Sequence, residues 1–171
     1  MKKHQEVLPV VQTIRQLRDG QGDVTMPINI EKIELQREYA DYENRCTVIH
    51  QQNSSYLHLF ESDIDGLAPK TIKRHLQNVD FFLNTYLLFD EANPLSMQDG
   101  VNAIDDFLGY FLEEKTYFTD STKRSFITSL RKFYKSMAKH GKITPEQYED
   151  VVESLQDGGA EYKALLKDLY E

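Results

Sequence analysis

The side chains of this sequence best equipped for chemistry are its cations. Between Lys115 and Lys142 stand eight basic residues, Lys115, Lys123, Arg124, Arg131, Lys132, Lys135, Lys139 and Lys142, against the single acid Asp120. Ammonium and guanidinium groups at this density recognise phosphate or carboxylate. They would equally suit the solvated face of a lysine-rich helix. The other reactive types are scattered. His4, His50, His58, His75 and His140 form no compact ligand motif. His50 and His58 could share a helix face, but no carboxylate completes a zinc-like signature with them. Asp105-Asp106 and Glu113-Glu114 could bind a metal and read more simply as solvated pairs. Asp63, Asp65 and Gly66 echo part of a calcium loop, yet Pro69 and Lys70 interrupt it and no glutamate closes it. Cys46 has no obvious base beside it and reads as a buried structural thiol. No glycine loop for phosphate is present. The expectation is therefore no metal, no cofactor and no catalytic set.

The chain that must position these cations has 171 residues and a formal charge of −8. Hydrophobic residues make up 40% and charged residues 28%, the balance of a soluble globular protein rather than a disordered one. A single cysteine excludes an internal disulfide framework. No apolar run reaches the ~18 residues a membrane span needs, and Met1–Glu6 leads into no signal-peptide core. A cytoplasmic location is the resulting expectation. The charge is zoned: residues 1–68 carry net −4, residues 69–142 net +2 and residues 143–171 net −6. An acidic total argues against a globally basic nucleic-acid binder, but partners respond to local patches as well as totals.

The apolar spacing is helical almost throughout, so the expected class is all-α. Val7 to Leu17 reads as a helix, with Gly20 and Gly22 in a following loop; Val24 to Ile30 is the one short stretch with strand-like alternation. Leu35, Tyr39, Tyr42, Cys46, Ile49, Asn53, Tyr56 and Phe60 follow a 4-3-4-3 spacing, an apolar stripe on one long helix from about Glu31 to Glu61. Asn53-Ser54-Ser55 is a point where it could bend or break. The spacing is also that of a heptad seam, so the Leu35–Phe60 helix could pack on its own domain or pair with a second copy in a homodimer. A turn at Asp63–Gly66 precedes a helix beginning near Pro69, with Ile72, Leu76, Val79, Leu83 and Tyr86 as its stripe. Ser96 is the expected cap of a third helix carrying Val101, Ile104, Phe107, Leu108 and Phe111. Asp120 or Ser121 is expected to cap a fourth, with Phe126, Ile127, Leu130, Phe133, Tyr134 and Met137 inward and Gly141 as its stop. Thr144, Pro145 and Gln147 have capping-box spacing for a fifth. Gly158-Gly159 separates a last helix ending near Tyr170.

Residues 67–143 resemble the N-terminal core-binding, or SAM-like, domain of tyrosine recombinases of the phage-integrase type. The resemblance is carried by Thr71, His75, Val79, Phe82 and Leu83 on one helix, with histidine where the family usually has an aromatic. It continues in Phe107-Leu108-Gly109-Tyr110, then Ser121-Thr122, Leu130-Arg131-Lys132-Phe133-Tyr134 and Gly141. It implies a four-helix core-binding domain, preceded by an extension (1–66) with a long helix and followed by short acidic helices (144–171). It also implies a grip on double-stranded DNA dominated by backbone contacts. The candidate DNA-binding residues are Lys70, Lys73, Arg74 and Gln77 on the first helix, and Thr122, Lys123, Arg124, Arg131, Lys132 and Lys135 on the last. Lys123, Arg131 and Lys135 could share an exposed flank.

The recombinase reaction itself needs a tyrosine nucleophile with arginines and histidines around the scissile phosphate. Arg131 is the last arginine and His140 the last histidine, so Tyr148, Tyr162 and Tyr170 have no such partners downstream. The expectation is a non-enzymatic DNA-binding protein, an accessory or regulatory factor in recombination, integration or transcription of a mobile element. The alternative is a helical protein-interaction module that has lost DNA binding and could dimerise through its tyrosine-rich helix.

Overall fold

The computed structural model describes residues 30–90, 92–115 and 119–160, together with Ala164, Lys167 and Asp168. Among them the regular structure is all helical. The expectations for Val7–Leu17, Gly20, Gly22 and Val24 onward fall outside the described residues, as does most of the last helix. The chain divides into two units, Met1–Leu35 and Gln36–Glu171. Of the first, the structure describes Ile30–Leu35.

Helix α1 spans Ile30–Asp63 without interruption. Asn53-Ser54-Ser55 does not break it. Asn53 is buried, and its Nδ2 donates to Leu83 O at 3.3 Å and Asn84 Oδ1 at 2.8 Å. Long-range partners thus occupy the amide N–H groups of a side chain that would otherwise compete with the helix backbone. The 4-3-4-3 stripe divides along its length. Leu35 and Tyr39 are 66% and 52% exposed, whereas Phe60 is fully buried. Between them Tyr42 Oη donates to Leu88 O at 2.9 Å. The later half of the stripe therefore packs on the chain's own body. Cys46 is a free thiol and only half-buried.

Helix α2 spans Pro69–Phe81 with proline in its first turn, as expected. It widens at its end into a π segment, Phe82–Tyr86. The third expected helix is not regular. It begins as a 3-10 turn at Asp99–Ala103, continues as α3 (Ile104–Asp106), opens into a second π segment at Phe107–Phe111 and closes with α4 (Leu112–Lys115). The residue at the cap position is Gln98, without a side-chain cap bond, and not Ser96. Ser96 instead closes the turn that leads into the segment: its Oγ accepts from Asp99 N at 3.2 Å, and the Asp99 carboxylate accepts from Ser96 N at 3.3 Å. The two π segments pack against each other through aromatic rings, Phe82 with Phe107 at 5.0 Å and Tyr86 with Phe111 at 4.8 Å. A wider turn gives bulky rings the room an α turn lacks.

Helix α5, Asp120–Lys139, is the central element. Its cap is Thr119, whose side chain accepts from Thr122 N, and not Asp120 or Ser121. Thr119 holds the extended backbone that a cap requires, while Asp120 and Ser121 are already inside the helix. Phe126, Leu130, Phe133, Tyr134 and Met137 are buried. Phe133 meets Phe60 of α1 edge-on at 5.5 Å. Tyr134 is fully enclosed; its hydroxyl donates to Met97 O at 3.1 Å, and burial drives the phenol far above its ordinary pKa. The helix ends in a Schellman motif. Lys142 N donates to Met137 O and Gly141 N to Ala138 O, with Gly141 at φ +63°.

Helix α6, Pro145–Asp157, begins in the expected capping box of Thr144 and Gln147 and ends at Gly158, φ +63°. Gly159 follows at φ +80° and lies against the second π segment. A Cβ placed there would stand 2.4 Å from Gly109 N. Val151 and Leu155 close the core on this side.

Candidate nucleic-acid interface

Helices α2 and α5 pack on each other and bring the two groups of predicted cations to neighbouring positions. Lys70, Lys73, Arg74 and Gln77 are exposed and, with Thr71, line a cavity of about 610 Å³ along α2. Arg74 also borders a second cavity of about 410 Å³ lined by His75, Ser121, Thr122, Arg124, Ser125 and Thr128. Arg74 is thus shared between the two hollows, and Arg124 faces it from α5. Arg131, Lys132 and Lys135 are exposed further along α5. None of Lys70, Lys73, Arg74, Arg124, Arg131, Lys132 or Lys135 forms an ion pair with a described carboxylate.

Lys123 stands apart from this group. Its ammonium lies 3.6 Å from Glu113 Oε1, and its side chain is 22% exposed. One residue along an α-helix turns the direction by roughly 100°, so Lys123 leaves the flank on which Arg124, Arg131 and Lys135 lie. Thr122 is committed to the start of α5, its hydroxyl 3.1 Å from that of Thr119. Lys139, in the same basic window, is engaged too. Its Nζ is 2.8 Å from Asp63 Oδ1, and Asp63 also receives Ser136 Oγ at 2.7 Å and His140 Nε2 at 3.0 Å. The bonds from Lys139 and Ser136 hold the Asp63 carboxyl down to about 2 against the opposing effect of burial. This cluster joins the end of α1 to the end of α5 and is structural.

Beneath the exposed cations lies a polar network that sequence reasoning missed. His75, 2% exposed, places Nδ1 2.8 Å from Ser129 Oγ. Asn78 Nδ2 donates to Ser129 Oγ at 3.0 Å and Ser125 Oγ at 2.9 Å, and Ser129 Oγ donates to Ser125 O at 2.9 Å. Burial, then Arg74 and Lys132, lower the His75 pKa, so the ring is neutral near pH 7. The available signal was spacing: His75 and Asn78 are three apart on α2, Ser125 and Ser129 four apart on α5. Each pair falls on one helix face where an apolar seam would otherwise continue.

Among the described residues no group of three or more His, Cys, Asp or Glu side chains could hold a metal ion. No described helix is long and apolar enough to cross a membrane. No family model, curated protein or solved structure matches the chain.

Proposed function

We propose that this chain is a non-catalytic DNA-binding protein that grips duplex DNA through α2 and α5, with residues 67–143 arranged as an integrase-like, SAM-like core-binding domain. On this reading it is a cytoplasmic accessory or regulatory factor of a mobile element. The observation that carries the reading is the placement of Arg74 and Arg124 on one cavity, flanked by exposed cations with no described acidic partner. Unpaired arginines beside serine and threonine hydroxyls match the donors that position a protein on phosphates. The cavity lining contains no carboxylate to repel a phosphate. The test is binding to mixed-sequence duplex at about 50 mM and 200 mM salt. Affinity that falls steeply between the two is expected; no affinity at the lower salt overturns the reading.

A second reading, a helical interaction module, is favoured by the exposure of Leu35 and Tyr39 on α1. Here a second copy pairs along the first part of the stripe, since the later part is occupied internally. Sizing of the native chain against Leu35→Asp tests it. A dimer converted to a monomer supports this reading, and a native monomer at high concentration removes it.

A further inference from the structure

The cavity between α2 and α5 has two features that contact with a passing run of phosphodiesters does not explain. The first is its charge. Arg74 and Arg124 border one hollow with no carboxylate in its lining. Two cations around an empty space repel one another, and an anion entering that space relieves both.

The second is the state of His75. Ser129 has a single hydroxyl proton, which it gives to Ser125 O. Its oxygen therefore accepts from both Asn78 and His75, so Nδ1 of His75 is the donor. In the neutral ring Nε2 then carries the lone pair. Asn53 Oδ1 and Asp105 Oδ1 are the fully buried side-chain polar atoms without a partner among the described residues. His75 Nε2 also has no partner there and is not one of them, so it touches open space. The space His75 lines is this cavity.

An unprotonated nitrogen among cations discriminates between kinds of phosphate. A phosphodiester has no proton to offer it. A phosphomonoester, with a second ionisation near ~6, carries a P–OH over part of the neutral range. That proton can sit on the phosphate and point at Nε2, or sit on Nε2 and leave a dianion between the arginines. Burial opposes an imidazolium first, and the charged groups that add to it are Arg74 on its own helix and Lys132 on α5. A phosphate held between Arg74 and Arg124, which border the same cavity, removes the Arg74 share of that opposition.

We propose that this cavity is a phosphomonoester site, in which Arg74 and Arg124 hold the phosphate and His75 Nε2 shares its proton. The phosphate is that of a nucleic-acid strand terminus or of a free phosphate compound; the first source rests on the DNA-binding reading above, the second does not.

The probes are orthophosphate and two blunt duplexes of one sequence, one with 5′-phosphate and one with 5′-hydroxyl ends. They are applied to the full chain and to the Arg74→Gln/Arg124→Gln variant, whose altered residues are exposed. Orthophosphate is expected to shift the His75 ring resonances saturably in the native chain and not in the variant. The phosphorylated duplex is expected to bind roughly tenfold more tightly than its hydroxyl counterpart, an advantage the variant loses. If orthophosphate leaves His75 unmoved and both duplexes bind equally, the phosphomonoester site is overturned and the DNA-binding reading stands. If orthophosphate shifts His75 but neither duplex binds at about 50 mM salt, the DNA-binding reading fails and the site stands for a small phosphate compound. If orthophosphate shifts His75 and the duplexes bind equally, the strand terminus is overturned as its source.

Discussion

Nδ1 of His75 lies 2.8 Å from Ser129 Oγ across the α2–α5 interface, and this contact ties a buried ring to the hydroxyl that also receives Asn78 Nδ2. Ser129→Ala takes the acceptor from two donors, His75 Nδ1 and Asn78 Nδ2. A buried donor left without a partner costs about 1–3 kcal/mol. Urea unfolding at neutral pH should show a loss in that range with an unchanged m-value.

The same ring makes stability depend on pH. The His75 pKa is lowered by folding, so the unfolded chain takes up the proton first. Stability from this group is complete above the unfolded value of about 6.5 and declines as pH falls below it. Unfolding midpoints measured from pH 7.5 down to 5 should fall. His75→Gln should flatten that part of the profile while lowering stability at neutral pH.

Asp63 governs a lower window. Its pKa is held to about 2, from an ordinary 3.8, chiefly by Lys139 and Ser136. A depressed carboxyl stabilises the fold above the unfolded value, and the contribution drains away as pH drops through the folded one. Native protein should lose melting temperature between pH 4 and pH 2. Asp63→Asn should lower the midpoint at neutral pH and remove most of its own share of the acid slope.

Two glycines should respond in opposite ways to alanine. Gly159 has φ +80° and no room for a Cβ, which would stand 2.4 Å from Gly109 N. Gly66 has nothing within 4 Å of the same position. Gly159→Ala is expected to destabilise by more than about 2 kcal/mol, through strain and a backbone clash. Gly66→Ala should stay within about 0.5 kcal/mol of the native chain. Chemical denaturation of the pair is the check.

If duplex binding is observed, the cations should contribute unequally. Arg131→Ala with Lys135→Ala should reduce the salt slope by roughly two units, about 0.9 for each phosphate that no longer meets a cation. Lys123→Ala should change it far less, since that ammonium already lies 3.6 Å from Glu113. An equal effect from Lys123 would move the interface toward α4.

The legible parts of this fold are those decided by neighbours in sequence. Pro69, the Thr144–Gln147 capping box and the Gly141 stop act within one helical turn, and all three stand where their spacing places them. The inward face of α5 is legible for the same reason: one apolar period serves one packed surface. Features set by distant partners are not. Asn53-Ser54-Ser55 reads locally as a breaker, and only Leu83 and Asn84, thirty residues on, make it continuous helix. The cap of α5 is displaced to Thr119 because several adjacent polar residues can each play that role. Lys123 looks like its neighbours in the basic window until Glu113 is placed beside it. His75 stands out in the sequence only as a histidine at an aromatic position; its network exists only where α2 meets α5.

The paired π segments carry a consequence for how the chain tolerates length changes. Each closes a hydrogen-bonded ring one residue longer than an α turn, so each holds what amounts to an absorbed insertion. Removing one residue from Phe107–Phe111 would restore an ordinary α turn and leave the helix beyond it in phase, with Leu112 still inward and Glu113 still beside Lys123. What the deletion would take away is the widened turn that sets Phe107 against Phe82 and Phe111 against Tyr86. The segment therefore tolerates the loss of a residue in register but not in ring packing.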